Sequence, residues 1–139
     1  MTEAEAVHTP GFDIRDESAR RRVSPGAFRT WVNVANAWGL TDKQAATLIG
    51  VPTSTYRRWK GAPDKVSLDA PQLERLSLLL GIYKDLEILL PSPEAADNWV
   101  SRPNRNPLFN GKTPLDRMLG GYTQDLIAVR RHLDAERGG

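Results

Sequence analysis

A chain of 139 residues with 40% hydrophobic content suffices for one compact core or two small, tightly packed ones. Its 19 basic and 17 acidic side chains leave a net charge of +2, so nucleic-acid binding has to be argued from where the charges sit and not from their sum. There is no cysteine, and the two histidines, His8 and His132, lie far apart, which excludes disulfides and thiolate ligands and leaves no zinc set; no metal or cofactor is expected.

Residues 1–23 are polar and sparsely apolar, and Arg15, Arg20, Arg21 and Arg22 fall within them, with Arg29 just beyond. They read as a flexible basic arm, either simply solvated or following a DNA backbone. Neither end carries the charged-then-apolar pattern of a secretory signal. The most apolar run, Leu76 to Leu90, is interrupted by Lys84, Asp85 and Glu87, so it is no membrane span, and a cytoplasmic protein is expected.

Four helix starts use one device, a capping oxygen just before an early-turn proline: Ser24-Pro25, Asp69-Ala70-Pro71, Ser92-Pro93 and Thr113-Pro114. They predict helices over about 25–38, 70–90, 93–101 and 114–119. Residues 24–68 form the first subdomain, a helix-turn-helix centred on Leu40 to Lys60. Thr41 caps a short helix from Asp42 to Ile49, with the Asp42 carboxylate suiting the positive end of the helix dipole. Gly50 suits a left-handed turn residue, Val51 tucks into the core, and Pro52 holds the turn before a second helix starts near Thr53. Ala45 and Ala46 let the two helices cross closely. On the second helix Tyr56 and Trp59 face inward, leaving Thr53, Ser54, Thr55, Arg57, Arg58 and Lys60 for DNA, since the N-terminal side chains of such a helix reach base edges in the major groove. The competing reading of Arg57, Arg58 and Lys60 is a solvated helix face.

Residues 69–90 form a central helix. Leu73, Leu76, Leu80 and Tyr83 make one stripe, and Leu79, Ile82, Leu86, Leu89 and Leu90 widen it beyond one buried face. Such a helix is a spine joining two subdomains, or part of it is a homodimer interface; a palindromic operator suits a two-fold dimer. Residues 91–139 hold the remaining helices. Tyr122 to Glu136 is the last, with Leu126, Val129 and Leu133 on one face. No alternating apolar run supports a strand. The expected fold is all-α, an N-terminal helix-turn-helix packed through the central helix onto a C-terminal helical domain.

Within that last region, Trp99-Val-Ser-Arg-Pro-Asn104 is followed by Asn106-Pro-Leu-Phe-Asn-Gly-Lys-Thr-Pro-Leu-Asp116 and the Gly120-Gly121 break. Trp99, Pro103-Asn104, Gly111, Thr113-Pro114-Leu115 and Gly120-Gly121, in this order and downstream of a helix-turn-helix, resemble the toxin-binding domain of the Xre/MbcA/ParS antitoxin family. Local physics accounts for much of the pattern, because Asn110-Gly111 is a turn, Thr113-Pro114 starts a helix, and Trp99 and Phe109 suit a core.

The resemblance implies an antitoxin that silences a RES-domain toxin encoded alongside it, an NAD-using enzyme similar to ADP-ribosyltransferases, by covering its active-site entrance. It also implies operator binding and autorepression. Toxin-contacting candidates are Arg102, Asn104, Asn106, Gly111, Pro114, Tyr122, Arg130, Arg131 and Arg137. The family often ends in an apolar or aromatic tail, whereas this chain ends Leu133-Asp-Ala-Glu-Arg-Gly-Gly139. A stand-alone repressor with a C-terminal dimerisation domain is the rival reading. Catalysis is not expected, since Asp116, Asp125, Asp134 and Glu136 are paired with no nucleophile, base or metal set at diagnostic spacing.

Overall fold

The computed structural model describes residues 13–138, and every regular element among them is helical. They fall into two compact units, divided between Leu80 and Gly81. The first contains α1 (Glu17–Ala37), α2 (Asp42–Ile49), α3 (Thr53–Gly61), a short 3-10 turn at Pro63–Lys65 and the first half of α4 (Ala70–Leu89). The second contains the rest of α4, then α5 (Pro93–Asn98), a 3-10 turn at Trp99–Ser101, α6 (Pro114–Met118) and α7 (Thr123–Glu136). No helix among the described residues is long and apolar enough to cross a membrane.

The first helix corrects the sequence reading. It starts at Glu17 and not at Ser24, because Asp16 caps it by accepting from the amides of Ser18 and Ala19, and it runs straight through Pro25. Ser24 is no cap. It is fully buried, donates to the Arg20 carbonyl at 2.6 Å and accepts from the Leu68 amide at 3.0 Å. That long-range bond helps to hold a proline that costs the helix one of its own hydrogen bonds. Residues 17–23 of the expected arm are therefore helical; residues 1–12 lie outside the described residues.

Phe28 and Trp31 of α1 are completely buried. Phe28 meets Tyr56 and Trp59 edge-on, with ring centroids 5.4 and 5.6 Å apart, and Trp31 meets Trp38 at 5.8 Å. The indole N–H of Trp31 donates to the Ala45 carbonyl, so this buried polar group is satisfied. Ala45 and Ala46 are buried, as close helix crossing requires. At the end of α2, Gly50 is left-handed, with φ of 75°. Arg75 of α4 is buried there and donates to the carbonyls of Leu48 at 2.8 Å and Thr47 at 3.4 Å. A Cβ on Gly50 would press on the Arg75 side chain at 3.3 Å, so this glycine serves both the turn and the approach of a guanidinium.

In the second unit Ile82, Leu86, Ala96, Val100, Phe109, Met118, Leu126, Val129 and Leu133 form the core. The expected proline starts hold at α5 and α6. Ser92 accepts from Ala95, while Thr113 and Asp116 form a reciprocal capping box with Pro114 at the first helical position. Phe109 packs edge-on between Trp99 and His132, at 5.6 and 6.0 Å.

Candidate functional site

The turn between α2 and α3 is built as the sequence predicts. Thr41 accepts from the Gln44 amide at 3.1 Å and Gln44 accepts from the Thr41 amide at 2.9 Å. Val51 and Tyr56 are buried, and Trp59 is half-buried against Phe28. Burial pushes the Tyr56 hydroxyl up to about 12, with the Asp42 carboxylate adding to the rise. Pro52 precedes α3 and offers no side-chain cap, so its first turn is open to an external acceptor. Thr53 and Thr55 are half-buried there, while Ser54, Arg57, Arg58 and Lys60 are exposed.

The cations of this face are unequal. Arg57 Nε lies 3.3 Å and Lys60 Nζ 2.9 Å from the two carboxylate oxygens of Asp42, whereas Arg58 is in no ion pair among the described residues. Hydrogen bonding from Lys60, with Arg57 behind it, outweighs partial desolvation and holds the Asp42 carboxyl below its ordinary value. Sequence reasoning gave Asp42 a helix-dipole role only. The partner on another helix becomes visible once α2 and α3 are folded against each other.

The C-terminal candidates separate into three groups. Asn104, Asn106 and Gly111 belong to one closed loop. Asn104 N–H donates to the Lys112 carbonyl at 2.9 Å and Gly111 N–H donates to the Asn104 carbonyl at 3.2 Å. The side-chain oxygens of Asn104 and Asn106 accept from the amides of Asn106 and Leu108, each at 2.9 Å, and so shape this loop. Asn110 and Gly111 take φ of 54° and 81°, which keeps the reversal tight. Pro114 is buried at the start of α6.

Arg130 and Arg137 converge on a carboxylate. Asp85, fully enclosed, meets Arg137 Nη1 at 2.6 Å and Arg130 Nε at 3.4 Å; Arg130 also reaches Asp134 at 3.0 Å. Burial, then the neighbouring Asp134, raises the Asp85 carboxyl against the pull of Arg137 and Arg130. Burial also raises Asp134, but Asp85 and Arg130 outweigh it and leave the group lowered. Gly81 makes room for this arrangement, because the Arg130 guanidinium lies where a Cβ on Gly81 would be. The two arginines thus tie α7 and its end to α4. A charged residue inside the apolar run of α4 is the available signal, and in sequence alone it argues only against a membrane span. The third group is exposed: Arg102, Arg131 and Tyr122, the last with 70% of its surface open.

Comparison with known proteins matches each part of the chain. Residues 16–81 match the antitoxin Xre-like helix-turn-helix domain, and residues 85–139 match the antitoxin Xre/MbcA/ParS C-terminal toxin-binding domain. An uncharacterised protein of Sinorhizobium fredii, y4oB, is 39% identical over 140 residues that span the whole of both chains.

Proposed function

Because the chain belongs to the Xre/MbcA/ParS family of antitoxins, we propose that it neutralises a RES-domain toxin encoded beside it and represses their shared operon. The observation that carries this reading is the union, in one chain, of a helix-turn-helix with a toxin-binding domain. The toxin would be an NAD-using, ADP-ribosyltransferase-like enzyme acting in the cytoplasm, with its active-site entrance covered by the C-terminal unit. Exposed Arg131, Arg102 and Tyr122 are the best-placed contact residues, and a phenol with an apolar ring suits an interface anchor. Arg130 and Arg137 act through Asp85, fixing the terminal helix that carries Arg131. At the other end, Thr53, Ser54, Thr55 and Arg58 meet operator bases and phosphates, with Arg57 and Lys60 beside them, and a homodimer reads a two-fold site.

Co-expression with the neighbouring reading frame, followed by purification on a single tag, tests the toxin partner. The expected result is a stable complex and the survival of cells that die when the partner is expressed alone. A neighbour that is neither toxic nor retained would remove the RES-toxin proposal, and operator binding by the isolated chain would then favour a stand-alone repressor.

A further inference from the structure

Asp42 stands on the cationic face of the helix-turn-helix without being needed to cap it. The cap of α2 is already complete, made reciprocally by Thr41 and Gln44. The Asp42 carboxylate instead reaches across to α3 and offers one oxygen to a guanidinium at 3.3 Å and the other to an ammonium at 2.9 Å. An anion seated between Arg57 and Lys60 occupies the place that a DNA phosphate would take on these two side chains. All three groups keep contact with water, at 32%, 66% and 38% side-chain exposure, so an incoming phosphate can exchange with the carboxylate.

We propose that Asp42 is an internal counter-charge that competes with the DNA backbone for Arg57 and Lys60, and so sets the discrimination between operator and unrelated DNA. The proposal rests on the DNA-binding reading of the helix-turn-helix. Binding to unrelated duplex consists almost entirely of phosphate contacts and the counterions they release. A protein whose two cations already share one carboxylate, and so present a single net positive charge, has less to gain from such contacts, and a displaced carboxylate repels the backbone it has yielded to. Operator binding suffers less, because Arg58 and the open first turn of α3 retain their base and phosphate contacts.

The test is a fluorescence-anisotropy titration of the full chain against its own upstream DNA and an unrelated duplex of equal length, over a series of salt concentrations. Asp42→Asn is compared with the parent protein. Glu74→Gln, an exposed change of the same charge on α4, controls for net charge. Asp42→Asn should tighten binding to the unrelated duplex by about tenfold at moderate salt and steepen its salt dependence by about one phosphate contact, worth about 0.9 in the log–log slope. The operator should gain less, so the ratio of the two affinities falls. Adding Arg57→Ala and Lys60→Ala to Asp42→Asn should abolish the gain, and circular dichroism should show the helices intact in each variant. An Asp42→Asn protein with unchanged affinities and slope, or a Glu74→Gln protein with the same gain, overturns the proposal. If neither the parent nor Asp42→Asn binds any duplex at low salt, the DNA-binding reading falls and the proposal with it.

Discussion

Asp42 and Asp85 each hold two cations, and almost everything else about them differs. Asp42 keeps about a third of its side chain in water, and its partners sit on a neighbouring helix of a surface face. Asp85 is fully enclosed, with one bond from Arg137 at 2.6 Å and a looser contact from Arg130 at 3.4 Å. An exposed pair gains little, because water solvates both charges when they separate. A buried carboxylate deprived of its partners has no such refuge. The same constellation is therefore replaceable in one unit, where it tunes what the surface binds, and structural in the other, where it anchors the last helix.

The sharpest way to break this comparison is Arg137→Ala, which leaves the enclosed Asp85 carboxylate only the looser contact from Arg130. It should destabilise the second unit by about 3 kcal/mol, at the low end for a broken buried pair because Arg130 remains and the carboxyl, already raised by burial, can take up a proton. Urea denaturation followed by circular dichroism measures the loss; an unchanged midpoint would make the pairing of Asp85 as dispensable for stability as that of Asp42.

Alkaline pH probes the first unit next. The Tyr56 hydroxyl is raised to about 12 by burial, so the unfolded chain ionises first. Its contribution is fully present below about 10 and is lost as pH rises through 12, amounting to about 2 kcal/mol at that point. Tyr56→Phe should flatten this part of the stability curve, and tyrosinate absorbance should show one residue ionising late. A Tyr56→Phe curve that falls as steeply as the parent's assigns the alkaline loss to other groups.

Gly81→Ala sharpens the picture of Asp85 by moving Arg130 without removing a charge. Alanine favours the helix by about 1 kcal/mol, while overpacking costs roughly 1–3. A net loss of about 1 kcal/mol is expected, and a stabilised variant would mean that the guanidinium can leave Gly81 freely. Smallest of all, Asp42→Asn should leave the unfolding midpoint where it was while changing DNA binding.

Capping chemistry made much of the fold legible in the sequence. Thr41, Ser92 and Thr113 each act locally on an amide three residues ahead, and such signals need no knowledge of the partner helix. Ser24-Pro25 imitated that signal and misplaced the start of α1, because the partner of Ser24 is Leu68 and no local rule points 44 residues away. Arg75 was silent for the same reason, since its acceptors lie on α2. At the candidate sites, Ser54 and Arg58 were visible as exposed positions on a helix of known phase. The arginines of α7 were visible as charges but not as pairs. Arg130, Arg131 and Arg137 look alike in sequence, and only the enclosed Asp85 carboxylate separates two anchors, one of them itself exposed, from Arg131, which is in no ion pair among the described residues.

The bond from the Leu68 amide to Ser24 also bears on the order of events during synthesis. Until residue 68 has left the ribosome, α1 has a proline in its middle and no long-range brace beside it. At roughly 5–20 residues per second, the brace arrives some seconds after Ser24 itself. Nascent α1 therefore spends that interval with Pro25 unbraced, although Tyr56 and Trp59, the rings that meet Phe28, emerge before Leu68 does, so the aromatic face can be covered before the middle of the helix is secured.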